Sequence, residues 1–572
     1  MCRRSLLAVL TAAAILFPLP SGLAFAAAKP NVVLVTLDSA RADHMGFLGS
    51  RHKLTPNLDR IAAQSLVFDR TYAQAPLTVV SYASILSGTY PQTHGATEFG
   101  APLSNSVPFL PDILHSAGYN TVAFVGSIEL DPRNGLAPGF DRGFNHYSAA
   151  FRQPQPGQGR PAAVERLGSK VVAEANAWLA ANSESPFFLW INLSDAHASH
   201  SGSYDAGITS ADAAVGKLVA ALQAKKLYDD ALIVVASDHG ESLGSHGEET
   251  HGVFLYDETI HVPLLVKLPQ NQNAGKRVRS RASLVDIAPT ILEVAAIPVP
   301  SQMQGQSLLR IAKGSSSADQ PVYSRTDFPQ RAFGWSSLES WRAGKFLYIR
   351  APRPELYDLA TDSGATHNLA HSSTAAAETM AAQLEAFDSR LKNQGTASDT
   401  GLTASQLQKL ASLGYVGLQK STAGPNATAK GSDPKDGIAT ANKSLRALAL
   451  IADGKPDKAM VILRPLLPEG SKTYLLQFAV GVALARQQQY SKAIDYLHNA
   501  IELQPDSTWA HLEMGASLMK TGDYKSAAVH LEVAASRLPE STQTHALLAE
   551  AYDHLGRADE AGRERAKAIQ KR

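Results

Sequence analysis

The sequence has almost no cysteine, and the little it has lies at the extreme N-terminus. Cys2 is the one cysteine among 572 residues. It falls within a segment that we expect to be removed on export, so the mature chain would form no disulfide and no thiolate metal site. A cysteine nucleophile is excluded for the same reason.

An excess of charge of one sign is also missing. Lys and Arg total 53 and Asp and Glu total 52, which leaves a net charge of +1. A nucleic-acid binder normally carries a basic excess, and no polybasic run suggests an anionic membrane surface. Beyond the N-terminus, no apolar run is long enough to span a bilayer. We therefore expect no nucleic-acid partner and no membrane span after signal cleavage.

Residues 1–28 have the features of an export signal. A positive start at Arg3 and Arg4 precedes an apolar run at residues 5–19, which is short for a transmembrane helix. Small residues suited to cleavage follow at Ala24, Ala26 and Ala28. We expect a bacterial periplasmic or secreted protein, with an uncleaved N-terminal anchor as the alternative.

Short apolar runs alternate with helical patterns from about residue 30. Runs bounded by Gly, Pro or polar residues predict buried strands at residues 31–37, 120–125, 187–193, 231–237 and 262–268. Helical patterns lie between them, at residues 57–68, 164–182 and 212–227. This alternation predicts an α/β domain with a mostly parallel central sheet that is covered on both faces.

The C-terminal part contains an internal repeat. Alanines recur every 34 residues, at Ala459, Ala493, Ala527 and Ala561. Paired helices with this period are the tetratricopeptide signature, and such repeats stack into a solenoid that usually binds other proteins. We expect an all-α tetratricopeptide-repeat solenoid over residues 437–572, with a protein partner. Residues 418–436 are rich in Gly, Ser, Thr, Ala and Pro and predict a flexible linker.

An aspartate directly follows, or nearly follows, three of the apolar strands. These residues are Asp38, Asp195 and Asp238. In open α/β sheets, ligands bind outside the carboxyl ends of the strands. Three carboxylates gathered there would repel one another unless a cation lay between them. One such aspartate is more often a helix N-cap, but the three together favour a metal site.

Histidines occur in the same two loops. His197 and His200 follow Asp195, whereas the other loop contains His239, His246 and His251. Carboxylate oxygens and imidazole nitrogens suit Zn, Mn, Mg or Ca in different mixtures. Although a lone histidine is usually structural, five in two loops beside strand-end acids favour a functional site.

Thr78 is the candidate nucleophile. It lies where a loop runs into a helix that we expect to begin near Ser81, and the backbone N–H groups at residues 79–81 would face an anion. A free threonine hydroxyl is a poor nucleophile at neutral pH, and coordination to a metal would make it competent. On spacing alone, helix capping is the more common role for such a residue.

Taken together, these segments resemble the sulfatase family of the alkaline-phosphatase superfamily. The segments that match the family's motifs are residues 31–49, 55–78, 84–95, 236–266 and 355–370. The resemblance implies an alkaline-phosphatase-like sandwich, which we assign to residues 29–417 as a sulfatase-like catalytic domain. Exported bacterial sulfatase-like proteins with tetratricopeptide tails form a group that this chain is similar to.

The resemblance implies a metal site. Asp38, Asp238 and His239 would hold a divalent metal ion, with Thr78 beside it as metal ligand and nucleophile. The ion would be Ca if the site is sulfatase-like, and Zn or Mn if it is phosphodiesterase-like.

The resemblance also implies residues that contact the substrate. His197 matches the histidine that contacts the substrate's oxyanion, and His251 falls where the family keeps a cationic side chain near the leaving group. Asp195 would join one of these histidines in a second metal site, as in phosphodiesterase relatives with two zinc ions. The substrate would be an anionic ester.

The chain departs from true sulfatases at the nucleophile. Those enzymes convert Cys or Ser of a Cys-x-Pro-x-Arg core to formylglycine, whereas the matching residues here are Thr78, Val79, Val80, Ser81 and Tyr82. Formylglycine chemistry is therefore excluded, and a threonine nucleophile is what the phosphodiesterase and phosphoethanolamine-transferase branches use. Ser127 stands where many sulfatases have lysine, and fewer positive side chains suit a less charged ester.

The sequence thus predicts a metal-dependent hydrolase of sulfate or phosphate esters that favours phosphoesters. Two alternatives remain open at this point. One is a non-catalytic sulfatase-like binding protein that works through its repeats, and the other is a phospho-group transferase of the cell envelope.

Overall fold

The computed structural model of the protein describes most of the chain after the predicted signal. The described residues are 29–97, 101–132, 137–149, 166–182, 186–197, 203–314, 319–393, 431–470, 473–539 and 541–569. The predicted signal peptide lies outside the described residues, as do residues 418–430 of the predicted linker. The boundaries in these two stretches stay predictions.

The described strands form two sheets. The strands of the large sheet are β1 Val32–Leu37, β2 Leu66–Tyr72, β3 Asn120–Phe124, β4 His146–Ser148, β5 Phe187–Leu193, β6 Leu232–Ser237, β7 His261–Lys267, β8 Arg277–Val278 and β9 Ala282–Ser283. The strands of the small sheet are β10 Val322–Thr326, β11 Leu338–Ala343, β12 Phe346–Arg350 and β13 Glu355–Asp358.

Helices surround the sheets and make up the C-terminal region. Those of the sheet-containing part are α1 Pro56–Ala62, α2 Thr78–Ser87, α3 Pro91–His94, α4 Leu110–Ser116, α5 Gly168–Ala181, α6 Tyr204–Ala224, α7 Asp257–Ile260, α8 Ile287–Val294, α9 Leu308–Ala312, α10 Phe328–Phe333 and α11 Thr374–Asn393. Those of the C-terminal region are α12 Pro434–Ala452, α13 Pro456–Leu463, α14 Leu467–Gly470, α15 Tyr474–Arg486, α16 Tyr490–Leu503, α17 Thr508–Thr521, α18 Tyr524–Arg537, α19 Thr542–His554 and α20 Ala558–Ile569. None of the described helices combines the length and apolar composition that crossing a bilayer requires.

The large sheet has the strand order β4-β3-β5-β1-β6-β7-β2-β8, and β9 also pairs with β2. The central strand β1 runs parallel to both of its neighbours, β5 and β6. Strand β7 runs antiparallel to β6 and to β2. The predicted mostly parallel sheet is therefore confirmed, with antiparallel pairing at β7.

Strand β1 shows why the sheet is covered on both faces. All six of its residues are buried. Val32 and Leu34 pack in a core that includes residues of α2 and α8, whereas Val33, Val35 and Leu37 pack in a second core with α1, α5 and α6. A continuous apolar strand is stable only when both faces are shielded from water in this way.

One predicted helix is wrong in part. The pattern at residues 57–68 predicts a single helix, but α1 ends at Ala62 and β2 begins at Leu66. The run of Leu, Val and Phe from residue 66 is compatible with either element, because short apolar runs do not distinguish a strand from a buried helix. The segment forms a strand because it pairs with β7, where Leu66 lies opposite Val266.

The repeat region confirms the predicted all-α solenoid. The four alanines spaced by 34 residues are fully buried, at Ala459, Ala493, Ala527 and Ala561. Two glycines with the same spacing, Gly481 and Gly515, let helices approach closely. A β-carbon there would lie 2.8 Å from Cγ of Leu497 and 2.6 Å from Cγ of Leu531. The small residues of the repeat therefore permit the close packing of each helix pair.

The first repeat helix begins earlier than predicted and packs against the preceding domain. Helix α12 starts at Pro434, inside the predicted linker, because Asp433 accepts a hydrogen bond from the Lys435 amide and proline suits a first helical position. Gly437 of α12 lies against the ring of Trp335, so closely that a β-carbon there would clash with Cζ2. The repeats are thus in direct contact with the sheet-containing domain.

Candidate active site

The site is built where two neighbouring parallel strands end. Leu37 at the end of β1 lies opposite Ser237 at the end of β6, so the residues that follow, Asp38 and Asp238, are brought side by side. Ligand atoms of Asp38, Asp238 and His239 lie within 4.8 Å of one another, and all three side chains are buried. The structure thus brings together the three residues expected to hold a metal.

The two oxygens of the Asp238 carboxylate differ in their hydrogen bonding. Its Oδ1 accepts hydrogen bonds from the amides of Ser39, at 3.0 Å, and His239, at 2.9 Å. Its Oδ2 is buried and has no hydrogen-bond partner within the described part of the chain. Burial raises the pKa of Asp238 to about 8, although the two amides act in the opposite direction. Such a carboxylate is stable as an anion only next to a cation, so these residues fit a divalent metal.

Ser39 has an unusual backbone conformation, which makes one of these contacts possible. Its φ angle is +58°, in the left-handed region that non-glycine residues seldom occupy. The turn after β1 thereby directs the Ser39 amide at Asp238. Strain of this kind persists where surrounding contacts hold it, which is common at functional sites.

His239 is held in the tautomer that a metal ligand needs. Its Nδ1 lies 2.8 Å from the carbonyl oxygen of Gly240, which can only accept, so Nδ1 carries the proton. The Nε2 lone pair is then directed to the site, 3.4 Å from Asp238 Oδ2. Burial and the neighbouring His251 lower the pKa of His239 well below its usual value, so the ring is neutral. A neutral imidazole with its other nitrogen anchored to a carbonyl is a typical metal ligand.

Thr78 lies beside this cluster. Its Oγ1 is 3.2 Å from Nε2 of His239, and the side chain is buried. Helix α2 begins at Thr78 and not near Ser81, because the Ser81 amide already donates to the Leu77 carbonyl at 2.9 Å. The Ser81 amide is therefore not available to an anion. Of the three amides predicted to face one, at residues 79–81, only those of Val79 and Val80 precede the first hydrogen bond of the helix.

His251 forms a buried pair with Glu241. Its Nδ1 lies 3.2 Å from Oε1 and 3.4 Å from Oε2 of the carboxylate. Burial lowers the pKa of His251, but the charge and hydrogen bond of Glu241 outweigh it and leave the pKa raised. The ring centroid is 4.3 Å from that of His239 and 5.6 Å from that of His197. Glu241 thus favours the protonated form of an imidazole that lies next to the candidate metal cluster.

Sequence reasoning missed Glu241. The signal was present, because Glu241 follows Asp238, His239 and Gly240 in one short run. Nothing local indicated that its carboxylate would face His251, ten residues later. That pairing depends on how the intervening loop folds.

Asp195 does not take part in the cluster. Its Oδ2 accepts a hydrogen bond from the Gly168 amide at 2.8 Å, at the start of α5, and its Oδ1 accepts one from the Ser210 hydroxyl of α6 at 2.6 Å. The carboxylate thus caps one helix and attaches another, which accounts for both oxygens. This is the helix-capping role and not the predicted second metal site.

The other predicted residues fall into different places. His246 stacks on Tyr256, with ring centroids 3.6 Å apart, which gives it a packing role. His200 lies outside the described residues. Ser127 offers no positive charge at the lysine position, and its hydroxyl accepts a hydrogen bond from the Glu129 amide at 3.3 Å.

Three family models match parts of the chain. The family model described as "Sulfatase" matches residues 30–297, and that of the C-terminal region of N-sulphoglucosamine sulphohydrolase matches residues 250–393. The tetratricopeptide-repeat model matches residues 484–533 and 518–564.

Individual relatives agree with these matches. An ulvan-active sulfatase from Formosa agariphila is 26% identical over 335 residues, which are 50% of this chain and 65% of that protein. Human N-acetylgalactosamine-6-sulfatase is 27% identical over 381 residues, which are 54% of this chain and 73% of that protein.

A solved structure shows the same fold. The phosphonate monoester hydrolase of Agrobacterium radiobacter superposes with a TM-score of 0.53 and 20% identity, over 64% of this chain and 96% of that one. The predicted fold class is thereby confirmed. The two sulfatase-related models together match residues 30–393, and helical repeats follow them, so the chain belongs to the sulfatase family and carries tetratricopeptide repeats at its C-terminal end.

Proposed function

We propose that this protein is a metal-dependent hydrolase of anionic sulfate or phosphate esters that uses Thr78 as its nucleophile. The observation that supports it best is the 3.2 Å contact between Thr78 Oγ1 and His239 Nε2, inside a buried cluster with Asp38 and Asp238. A hydroxyl at the start of a helix, next to potential metal ligands, suits attack on an anionic ester.

The donor set favours Zn or Mn over Ca. Asp38 and Asp238 supply carboxylate oxygens, His239 supplies a neutral nitrogen and Thr78 supplies a hydroxyl oxygen. Imidazole suits Zn and carboxylates suit Mn, whereas Ca prefers six to eight oxygen ligands. When bound, a divalent ion lowers the pKa of a coordinated hydroxyl and supplies positive charge to the developing anion.

The remaining steps belong to residues of the chain. Thr78 loses its hydroxyl proton to solvent, and its Oγ attacks phosphorus or sulfur as the bond to the leaving-group oxygen breaks, while the amides of Val79 and Val80 donate to the developing oxyanion. His251 has Nδ1 directed at Glu241, whose charge raises the pKa of the ring, and in its protonated form the ring donates a proton from its other nitrogen to the leaving group. His197 lies next to His251 and orients the oxyanion. Water then hydrolyses the threonine ester and restores Thr78.

A phosphoester is the preferred substrate in this proposal. The positions where a formylglycine sulfatase has arginine and lysine are taken by Tyr82 and Ser127, which are uncharged. The Tyr82 hydroxyl accepts a hydrogen bond from Asn192 at 2.7 Å, and its ring is fully buried, so it serves as a core residue. With fewer cationic side chains, the pocket is better suited to a singly charged phosphodiester than to a doubly charged phosphate monoester. The preference over singly charged sulfate esters rests on the threonine that replaces the formylglycine precursor.

An activity screen combined with a trapped intermediate tests the proposal. The purified chain would be loaded with Zn, Mn or Ca and offered sulfate monoesters, phosphate monoesters, phosphodiesters and phosphonates. Acid quenching during turnover followed by peptide mapping should find the covalent group on Thr78. Efficient cleavage of aryl sulfates with no cleavage of any phosphate ester would refute the phosphoester preference, and an adduct on another residue would refute Thr78.

Two further properties belong to the proposal. Product analysis with an added alcohol distinguishes hydrolysis from transfer, since a transferase would pass the group to the alcohol in place of water. We also propose that the protein is exported and that the repeats bind a protein partner. Cell fractionation tests the first of these, and affinity capture with the repeats intact or deleted tests the second.

A further inference from the structure

The first repeat helix reaches the loop that carries His251. Asn442 of α12 donates from Nδ2 to the carbonyl oxygen of Gly247 at 2.8 Å, and its Oδ1 accepts a hydrogen bond from the Glu249 amide at 3.1 Å. Ile438, one turn earlier in α12, lies against Gly247, where a β-carbon would be 3.6 Å from its Cγ2. One side chain of the repeat domain thus binds two backbone groups at the tip of the loop.

Hydrogen bonds within the loop connect its tip to its two ends. Inside the loop, the Ser242 amide donates to the Thr250 carbonyl and the Gly244 amide donates to the Glu248 carbonyl, both at 2.8 Å. These bonds join its two sides between the tip and the ends. The ends are Glu241 and His251, which form the buried pair beside the metal cluster. A displacement of the tip therefore changes the geometry of that pair.

Helix α12 is itself anchored, so it can hold the loop in place. Lys435 Nζ lies 2.6 Å from Oε1 of Glu355, and Asp433 Oδ2 accepts a hydrogen bond from the Arg353 amide at 3.0 Å. Glu355 and Asp433 are both buried, so these are not loose surface ion pairs. The start of α12 is therefore attached to β13 and to the residues that lead into it.

We propose that Asn442 is a positioning residue for the active site, through which the tetratricopeptide domain holds the loop carrying Glu241 and His251. The catalytic part of this inference rests on the proposed function, because it requires that His251 act on the ester. Asn442 touches neither substrate nor the metal cluster and acts only through the loop. The repeats are in this sense a component of the hydrolase as well as a binding module.

Hydrogen exchange of the full chain tests the contact without any substrate. Asn442→Ala should speed exchange of peptides that cover residues 243–250, with no change in the exchange of β1 or β6. Asn442→Asp keeps the acceptor for the Glu249 amide but loses the N–H donated to Gly247, so its effect should be intermediate. Lys443→Ala, on an exposed neighbour in the same helix, is the matched control and should leave the loop unchanged.

Kinetics then test the consequence. Asn442→Ala should lower kcat roughly tenfold with KM nearly unchanged, since a shift in a group that acts in the transition state affects turnover more than binding. Unchanged loop exchange in Asn442→Ala would overturn the proposal, and so would faster loop exchange with unchanged kcat. If Asn442→Ala does not fold, hydrogen exchange and kinetics are both measured on Asn442→Asp. If the wild-type chain turns over no ester, the proposed function fails, and the exchange result alone decides whether Asn442 holds the loop.

Discussion

Thr78 Oγ1 and His239 Nε2 lie 3.2 Å apart, although 161 residues separate them in the chain. One residue begins a helix and the other follows a central strand of the sheet. Their proximity joins a potential nucleophile to a potential metal ligand. The first prediction follows from this contact.

Thr78→Ala should abolish turnover while the metal stays bound, because Asp38, Asp238 and His239 remain. Thr78→Ser should keep part of the activity, since the hydroxyl is retained. Steady-state kinetics and metal analysis on the same preparations check both statements. Full activity in Thr78→Ala would remove this residue from the mechanism.

Removing the metal should destabilise the protein as well as inactivate it. Without a cation, the buried carboxylates of Asp38 and Asp238 are left close together. At an ion concentration several hundred times the dissociation constant, the bound ion contributes roughly 3–4 kcal/mol to the free energy of unfolding. Thermal unfolding before and after chelation measures the loss, and Asp238→Asn should unfold at the same temperature with and without the ion.

Glu241→Gln should weaken catalysis and alter its pH dependence. The Glu241 carboxylate holds the pKa of His251 above its usual value, so the cation persists to higher pH. Activity that depends on this cation is lost as the pH rises through that pKa. In Glu241→Gln the alkaline limb of the kcat profile should therefore move to lower pH, and kcat should fall by about 10- to 100-fold.

Glu249→Gln is the matched control for this pH profile. Glu249 lies in the same loop but has an exposed side chain, and its contact to Asn442 uses only the backbone. The alkaline limb of the kcat profile of Glu249→Gln should lie at the same pH as in the wild type. An equal shift in both variants would mean that the general charge of the loop matters, and not the pair of Glu241 and His251.

The repeats should lose stability in mild acid because of a buried histidine pair. His511 Nδ1 lies 2.9 Å from His530 Nδ1, so one of these nitrogens donates and the other accepts, and His511 Nε2 donates to the Pro505 carbonyl at 2.9 Å. Burial lowers the pKa of His511 from 6.5 to about 4. Between these values the unfolded chain binds a proton that the folded chain does not, so stability falls as the pH falls. One such histidine contributes a loss of about 2 kcal/mol between pH 6.5 and pH 5.

The fourth repeat suggests the variant that tests this pair. His545 and Glu564 occupy the positions that are 34 residues after His511 and His530, and His545 Nδ1 is hydrogen-bonded to Oε2 of Glu564. His530→Glu should therefore reduce the difference in thermal unfolding between pH 7 and pH 5. His371→Gln, which changes an exposed histidine, should leave that difference as in the wild type. An unchanged difference in His530→Glu would contradict the assignment.

The fold could be predicted where the pattern is local and strong. The strands at β1, β5 and β6 were apparent because each is a continuous apolar run bounded by polar residues. The repeat was apparent because identical small residues recur at one spacing. Sulfatase-family membership and the fold class were predicted and are confirmed.

The predictions that the structure corrects concern residues whose local pattern is compatible with more than one structure. Leu66 to Phe68 became a strand because β7 was available for pairing. Asp195 became a helix cap because α5 and α6 present donors to it. Helix α2 began at Thr78 because the Leu77 carbonyl accepts the first helical hydrogen bond. Each outcome depends on a neighbour that the local pattern does not reveal.

By itself, the sequence determined which chemical groups are present and where strands, repeats and motifs lie, since these depend on composition and on short-range periodicity. It also indicated that Asp38 and Asp238 would meet, because parallel strands end at the same edge of a sheet. Only the tertiary structure decided that Glu241 pairs with His251 and that Asn442 holds the loop between them. The first contact depends on how the loop between the two residues folds, and the second on how that loop packs against a helix of the repeat domain, and neither is encoded in local periodicity.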